Sequence, residues 1–340
     1  MKPMLLPGPV LHRNFKRARD EITELLRLSP PGKVIVLVGP TQAGKSLIFQ
    51  YAVRNLSVEL QPKSPAHIPF VHLVVATSQD GRISPKYLTL RLLKLIRHPM
   101  HEHVGDFDES DHYRPSRGRD ETSLRLSLEL GMIARETLLA LLDEAHHLTH
   151  TKDRELRSNV LQSIKCLGAI DRTLALFGGY ELVYRGLFDS AHFAGRLICV
   201  EIAPYTNCPD DLIEWSRILK LFGKHMSLHP PSLLLEEVET LLYAANGVFG
   251  LLEKILWLAR ARSHGKAITR EVLRSAFPTQ AEHDVIKRDI EAGQRAIARL
   301  RNPSFDTSAS ASTPRTKQRR RPFQRNPNRK LPTYPKVSNE

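Results

Sequence analysis

Lys33-Val-Ile-Val-Leu-Val38 runs directly into Gly39-Pro-Thr-Gln-Ala-Gly44-Lys45-Ser46. The β-branched apolar run reads as a buried strand, and the loop after it fits G-x-x-x-x-G-K-[ST] in the strand context that this phosphate-binding pattern requires. Gly39 and Gly44 let the loop turn so that successive backbone N–H groups point inward at phosphate oxygens. Lys45 places a cation between β- and γ-phosphates, and the Ser46 hydroxyl is a ligand for Mg²⁺. A helix expected from about Ser46 to Leu56 aims the positive end of its dipole at the same point. The residues expected to hold nucleotide are Gly39, Pro40, Thr41, Gln42, Ala43, Gly44, Lys45, Ser46 and Leu47, with ATP or GTP as the ligand.

Leu138-Leu-Ala-Leu-Leu142-Asp143-Glu144 is the second chemical signal. An apolar strand ending in two acids delivers both carboxylates to the C-terminal edge of a parallel sheet, where ligands bind in such folds. Asp143 is expected to share the Mg²⁺ with Ser46 through the water shell of the ion, and Glu144 to polarise the attacking water as general base. Glu144 favours ATP over GTP, because most GTPases place their water-orienting residue elsewhere. The expected chemistry is Mg²⁺-dependent hydrolysis of ATP to ADP and phosphate. Asp143-Glu-Ala-His146 also spells the DEAH signature of one helicase group. A helicase needs a second motor domain, and the chain after His146 is largely helical.

The surrounding pattern alternates strands and helices. A charged amphipathic helix is expected over Arg13 to Leu28, strands over Ile68–Ala76, Thr137–Leu142, Leu174–Phe177 and Leu197–Ile202, and helices over Lys86–Arg97, Thr122–Arg135 and Leu156–Leu167. Pro99 to Arg119 is polar and reads as a long loop. After Pro204 the pattern becomes helical, roughly over Pro209–Leu221, Ser232–Ala245, Val248–Ser263 and Thr269–Ala276. The predicted architecture is an α/β core, a parallel sheet sandwiched by helices, with a small helical lid and a disordered basic tail. Its expected divisions are an N-terminal helical extension at 1–29, the core at 30–204, the lid at 205–301 and the tail at 302–340.

The net charge is +14, and eight of the basic side chains fall between Arg315 and Lys330 with no acid among them. Such a balance favours polyanionic partners, nucleic acid first among them. The tail is Ser/Thr/Pro-rich and then Arg-rich, unable to bury enough surface to order itself, and is expected to hold DNA phosphates or to be captured by a partner protein. Three cysteines (Cys166, Cys199, Cys208) form no C-x-x-C pair, so neither a zinc ribbon nor a disulfide framework is suggested. Prolines interrupt the apolar start, no signal peptide is read, and no run approaches the roughly 18 apolar residues of a membrane span. A soluble cytoplasmic protein with no membrane partner is expected.

Beyond these motifs, the layout matches that of AAA+ ATPases. Closer still, Leu142-Asp-Glu-Ala-His-His-Leu148, Phe177-Gly-Gly-Tyr-Glu-Leu182 and Ala194-Gly-Arg196-Leu-Ile-Cys-Val-Glu-Ile-Ala-Pro-Tyr205 resemble the transposition ATPases TniB and TnsC, whose role is similar to that of the B protein of phage Mu. The resemblance spans about residues 30 to 275. It implies an ATP-dependent, DNA-binding regulator of transposition in the bacterial cytoplasm, associated with the nucleoid. Its implied partners are double-stranded DNA, a DDE transposase, a target-selection protein and further copies of itself in a ring or filament. It also implies that Arg196, with Arg185 as second candidate, is offered to a neighbour's γ-phosphate. Gly178 and Gly179 stand where AAA+ proteins place a polar sensor, leaving Tyr180 or Glu181 for that task. Gly250 stands where a second sensor is often arginine, with Lys254 one turn on. ExeA-like secretion ATPases and replication-initiator or clamp-loader relatives share the same core and are the alternatives.

Weaker signals read as ordinary surface. His98, His101, His103 and His112 match no zinc spacing. His146 and His147 read as shaping the strand end. Lys86, Arg91, Lys94 and Arg97 lie on or near one helix, as a solvated face or a DNA-tracking stripe.

Overall fold

The computed structural model describes residues 5–6, 8–75, 85–98, 105–107, 113–115, 121–149, 164, 166–168, 171–187 and 195–301. The expected disordered tail at 302–340, most of the helix expected over 156–167, and His101, His103 and His112 lie outside them.

In chain order the strands are β1 (Val34–Val38), β2 (Phe70–Val74), β3 (Gly105–Phe107), β4 (Tyr113–Pro115), β5 (Leu139–Asp143), β6 (Thr173–Gly178) and β7 (Leu197–Glu201). Five of them form one parallel sheet in the order β2-β5-β6-β1-β7, and β3 pairs antiparallel with β4. β1, β5 and β6 are buried along their whole length. That explains why each is a near-continuous apolar run with no alternation, since helices cover the faces of a parallel sheet. Val38 pairs with Gly178 and with Glu201, so β1, β6 and β7 end together at one edge.

Helices α1 (Arg13–Leu28), α2 (Lys45–Glu59), α3 (Pro85–Leu95) and α4 (Glu121–Ala134) flank the sheet. α1 buries Phe15, Ala18, Ile22 and Leu26, spaced for one helical face, and lies against α2, β1 and β7. After β7 come α5 (Pro209–Gly223), α6 (Leu233–Glu236), α7 (Val238–Ala244), α8 (Phe249–Arg262), α9 (Arg270–Ser275) and α10 (Gln280–Arg301). They close around Trp215, Phe222, Leu241, Leu252 and Leu256, all fully buried. Met1–Arg299 is one compact unit. Among the described residues no single helix is long and apolar enough to cross a membrane.

Three details differ from the sequence reading. The polar stretch 99–119 contains the β3–β4 pair, which rests on backbone hydrogen bonds and needs no apolar pattern. The single helix expected over Ser232–Ala245 is two, broken at Glu237, whose buried carboxylate takes ion pairs from Arg270 (2.8 Å) and Arg274 (3.1 Å) of α9. The 22-residue α10 was not singled out at all, and it forms one wall of the site described next.

Candidate functional site

β1 ends in the loop Gly39–Gly44, and α2 begins at Lys45 with Gly44 as its N-cap. Gly44 has φ +92° and lies under the Phe15 ring, leaving little space for a side chain. Gln42 is also left-handed, with φ 58°. The loop encloses a cavity of about 500 Å³, walled on the other side by Glu144, His146, Gly179, Glu181 and Asp289. Lys45 Nζ donates to the carbonyls of Gly39 (3.1 Å) and Pro40 (2.6 Å). Burial lowers the lysine's pKa, and Glu144, Asp289, Asp143 and Glu181 pull it back up.

Asp143 caps β5 and is buried, and its carboxylate accepts hydrogen bonds from the Glu144 N–H (2.9 Å) and the Ser46 hydroxyl. Burial pushes its pKa up, and those two bonds pull it back. Glu144 has φ 54°, a left-handed conformation uncommon outside glycine, and its carboxylate lies 3.3 Å from His146 Nδ1. The His146 and His147 rings sit 4.3 Å apart in the short 3₁₀ turn that follows. That turn crowds the end of β6: a Cβ on Gly178 would meet the His146 backbone nitrogen at 2.9 Å and Leu182 at 2.7 Å. Gly178 is therefore glycine for close packing. Of the two alternatives for the polar sensor, Tyr180 is buried with its hydroxyl donating to Glu201 (2.9 Å), whereas Glu181 lines the cavity.

The same packing explains Gly250. A side chain there would run into the Gln42 carbonyl, so the start of α8 touches the loop backbone and leaves no room for an arginine. Lys254, its expected substitute, faces a separate cavity beside Glu282 (4.0 Å) and does not line the phosphate site.

Next to the loop, His12 Nδ1 is 3.0 Å from the Tyr205 hydroxyl, and the His12 ring stacks on Phe249 at 4.9 Å. Asn14 Nδ2 donates to the Ala203 carbonyl (2.9 Å), and the Tyr205 N–H donates to Gly247 (2.8 Å). These contacts tie α1, the end of β7 and α8 into one aromatic cluster beside Gly44, with burial lowering the His12 pKa to about 4. Sequence reading missed this cluster, and also missed Asp289.

Arg196 is placed elsewhere. Its carbonyl accepts from the Val34 N–H (2.9 Å), so it stands where β1 begins, at the opposite edge of the sheet from the loop. The length of β1 separates the two, roughly 15 Å at about 3.3 Å per residue. Its side chain is exposed and does not line the cavity. Arg185 is also exposed, its guanidinium 5.8 Å above the Tyr184 ring.

Residues 31–183 match the AAA domain family model. Comparison with curated proteins gives no significant match. Among solved structures, the chain is similar to the ORC2 protein of Aeropyrum pernix in its ADP form, at 12% identity and TM-score 0.47, over 81% of this chain and 70% of that one. It is similar to the same protein with ADPNP and ADP at 13% identity and TM-score 0.47, covering 84% and 70%. The Walker-type ATPase paby2304 of Pyrococcus abyssi is similar at 14% identity and TM-score 0.45, covering 88% and 80%. The fold is that of an AAA+ P-loop NTPase.

Proposed function

We propose that the chain is an ATP-hydrolysing regulator of transposition that oligomerises on double-stranded target DNA. In this reading it links a target-selection protein to a DDE transposase and disassembles when ATP is hydrolysed. One observation carries it: Lys45, Ser46, Asp143 and Glu144 meet at one edge of the sheet, while Arg196 is exposed at the other. A catalytic arginine in that position serves only a neighbour's nucleotide, so the site is complete at a junction between copies. The likeness of residues 142–148, 177–182 and 194–205 to TniB and TnsC supplies the setting, a bacterial cytoplasmic protein working at the nucleoid.

At such a junction Lys45 exchanges its two carbonyl bonds for phosphate oxygens, and the loop amides hold the remainder of the chain of phosphates. Glu144 accepts a proton from the attacking water, and Arg196 of the adjoining copy stabilises the charge that develops on the transferred phosphoryl group. The hydrogen-bonded Ser46 hydroxyl and Asp143 carboxylate are hard oxygen donors that fit Mg²⁺, which would offset phosphate charge there. The basic tail adds phosphate contacts, each steepening the log–log salt dependence of DNA binding by about 0.9.

Glu144→Gln tests the reading. Electron microscopy with DNA is expected to show persistent rings or filaments of this variant with ATP, and none of the wild-type chain with ADP. The absence of any nucleotide-dependent assembly with ATP or a non-hydrolysable analogue would overturn it.

A further inference from the structure

The phosphate cavity holds a wall that belongs to neither motif. α10 crosses it, presenting Asp289 toward Lys45, so the cavity is lined by Glu144, Glu181 and Asp289 against that one lysine. α10 is fastened near its N-terminus and at its middle. On the helical side, His283 Nε2 lies 3.0 Å from the Tyr243 carbonyl and Asn246 Nδ2 donates to the His283 carbonyl (3.4 Å). On the sheet side, the Tyr184 hydroxyl donates to Asp289 Oδ1 at 2.7 Å. Four residues on from Asp289, Gly293 lies so close to the Tyr180 ring that a Cβ has no space. Tyr180 is in turn held by Glu201.

We propose that α10 is an autoinhibitory latch that fills the approach to the nucleotide site with a carboxylate and must swing away when ATP enters. The inference rests on the reading of this cavity as the nucleotide site. The physical conflict is direct. The site must accept a triphosphate whose binding depends on Lys45 and the loop amides, and Asp289 offers it like charge in a partly buried setting where screening is weak. Asp289 is held there at a cost, since burial raises its pKa while the Tyr184 hydroxyl bond works against that rise. The Gly293–Tyr180 contact supplies the opposing attraction, with Ile290 and Ile297 buried on either side of it. A helix clamped by packing while its acid opposes the ligand is a two-state element, and nucleotide binding favours the released state.

The test uses the full chain with three substitutions. Asp289→Asn removes the charge, Tyr184→Phe removes the bond that aims it, and Gly293→Ala spoils the packing while leaving the charge in place. ATP and ADP affinities are measured by titration, with a thermal melt of each variant. Amide hydrogen exchange of residues 284–297 is followed with and without a non-hydrolysable ATP analogue. The latch requires Asp289→Asn to bind ATP about tenfold more tightly than wild type, the effect of one like charge withdrawn from such a site. It requires a smaller gain for Tyr184→Phe and Gly293→Ala, and faster exchange in α10 when nucleotide is present. If wild type binds ATP while Asp289→Asn binds it equally or more weakly, or if nucleotide slows exchange across α10, the latch is wrong and Asp289 serves the bound ligand. Should Asp289→Asn fail to melt cooperatively, the gain in Tyr184→Phe and Gly293→Ala decides. If no chain binds ATP, the nucleotide reading itself falls, and the latch with it.

Discussion

At the scale of single residues, Lys45 and Glu144 separate binding from chemistry. Lys45→Ala removes the cation that meets the phosphates and is expected to abolish ATP binding in a fluorescence titration. Glu144→Gln leaves the loop intact, so it should bind ATP like wild type while steady-state hydrolysis falls by about 10²–10⁴-fold, the usual worth of a general base. Turnover at the wild-type rate would remove Glu144 from that role. His12 makes a different prediction, about stability. Its pKa falls from 6.5 to about 4 on folding because burial disfavours the imidazolium, only partly offset by Glu214. The unfolded chain takes up this proton below pH 6.5 and the folded chain does not until about pH 4. The stabilisation is therefore complete above pH 6.5 and is lost as pH falls through that window, by about 3 kcal/mol in all. Urea unfolding at pH 7 and pH 4.5 is expected to show the loss in wild type, and a flatter profile in His12→Gln. Asp143 and Asp289, raised by burial, titrate in the opposite sense, and Asp211, where burial is outweighed by hydrogen bonds from Thr206 and Arg13, in the same sense; all three are common to both chains, so the comparison with His12→Gln isolates the histidine.

At the scale of elements, what was legible followed from how much a local pattern says about packing. The loop after β1, the acids ending β5 and the amphipathic α1 were readable because each repeats a rule of spacing that needs no knowledge of neighbours. The glycines at 178 and 250 were visible only as departures, and their meaning came from elements distant in sequence: the turn after Glu144 crowds Gly178, and the Gln42 carbonyl crowds Gly250. α10 escaped notice because nine of its 22 residues are charged, with a sparse apolar stripe of Ile286, Ile290 and Ile297 interrupted by Gly293. The glycine that weakens the pattern is what allows the helix to press on Tyr180. One consequence can be measured at Gly250. Replacing it by alanine or arginine in imitation of a second sensor forces α8 away from the loop, so both should lower thermal stability by about 1–3 kcal/mol. Both should also weaken ATP binding; an arginine that tightens it instead would mean that α8 has freedom to shift.

At the scale of the whole molecule, the five strands hold Arg196 and the phosphate loop apart. Register fixes this: Val34, at the start of β1, pairs with Leu197, and Val38, at its end, pairs with Glu201, so Arg196 and the phosphate loop stand at opposite ends of adjoining strands. No rotamer of Arg196 turns the sheet around, and any catalytic use of it requires a second chain. Two measurements follow. Specific ATPase activity should rise with protein concentration, and steeply when DNA gathers the copies together. Arg196→Ala should then keep the wild-type affinity for ATP and lose the concentration-dependent gain, by about 10³-fold where a trans arginine supplies most of the rate. The sharper form mixes two inactive chains. In a mixture of Glu144→Gln with Arg196→Ala, some junctions join an intact Glu144 site to an intact Arg196, and activity should appear that neither chain has alone. Arg185→Ala used in place of Arg196→Ala asks the same of the second candidate, which lies on the cavity side of the sheet near Asp289. A mixture no more active than the mean of its parts, at concentrations where both chains co-assemble, would rule out action of Arg196 across a junction, and an Arg196→Ala chain as active by itself as wild type would show that Arg196 belongs to the surface.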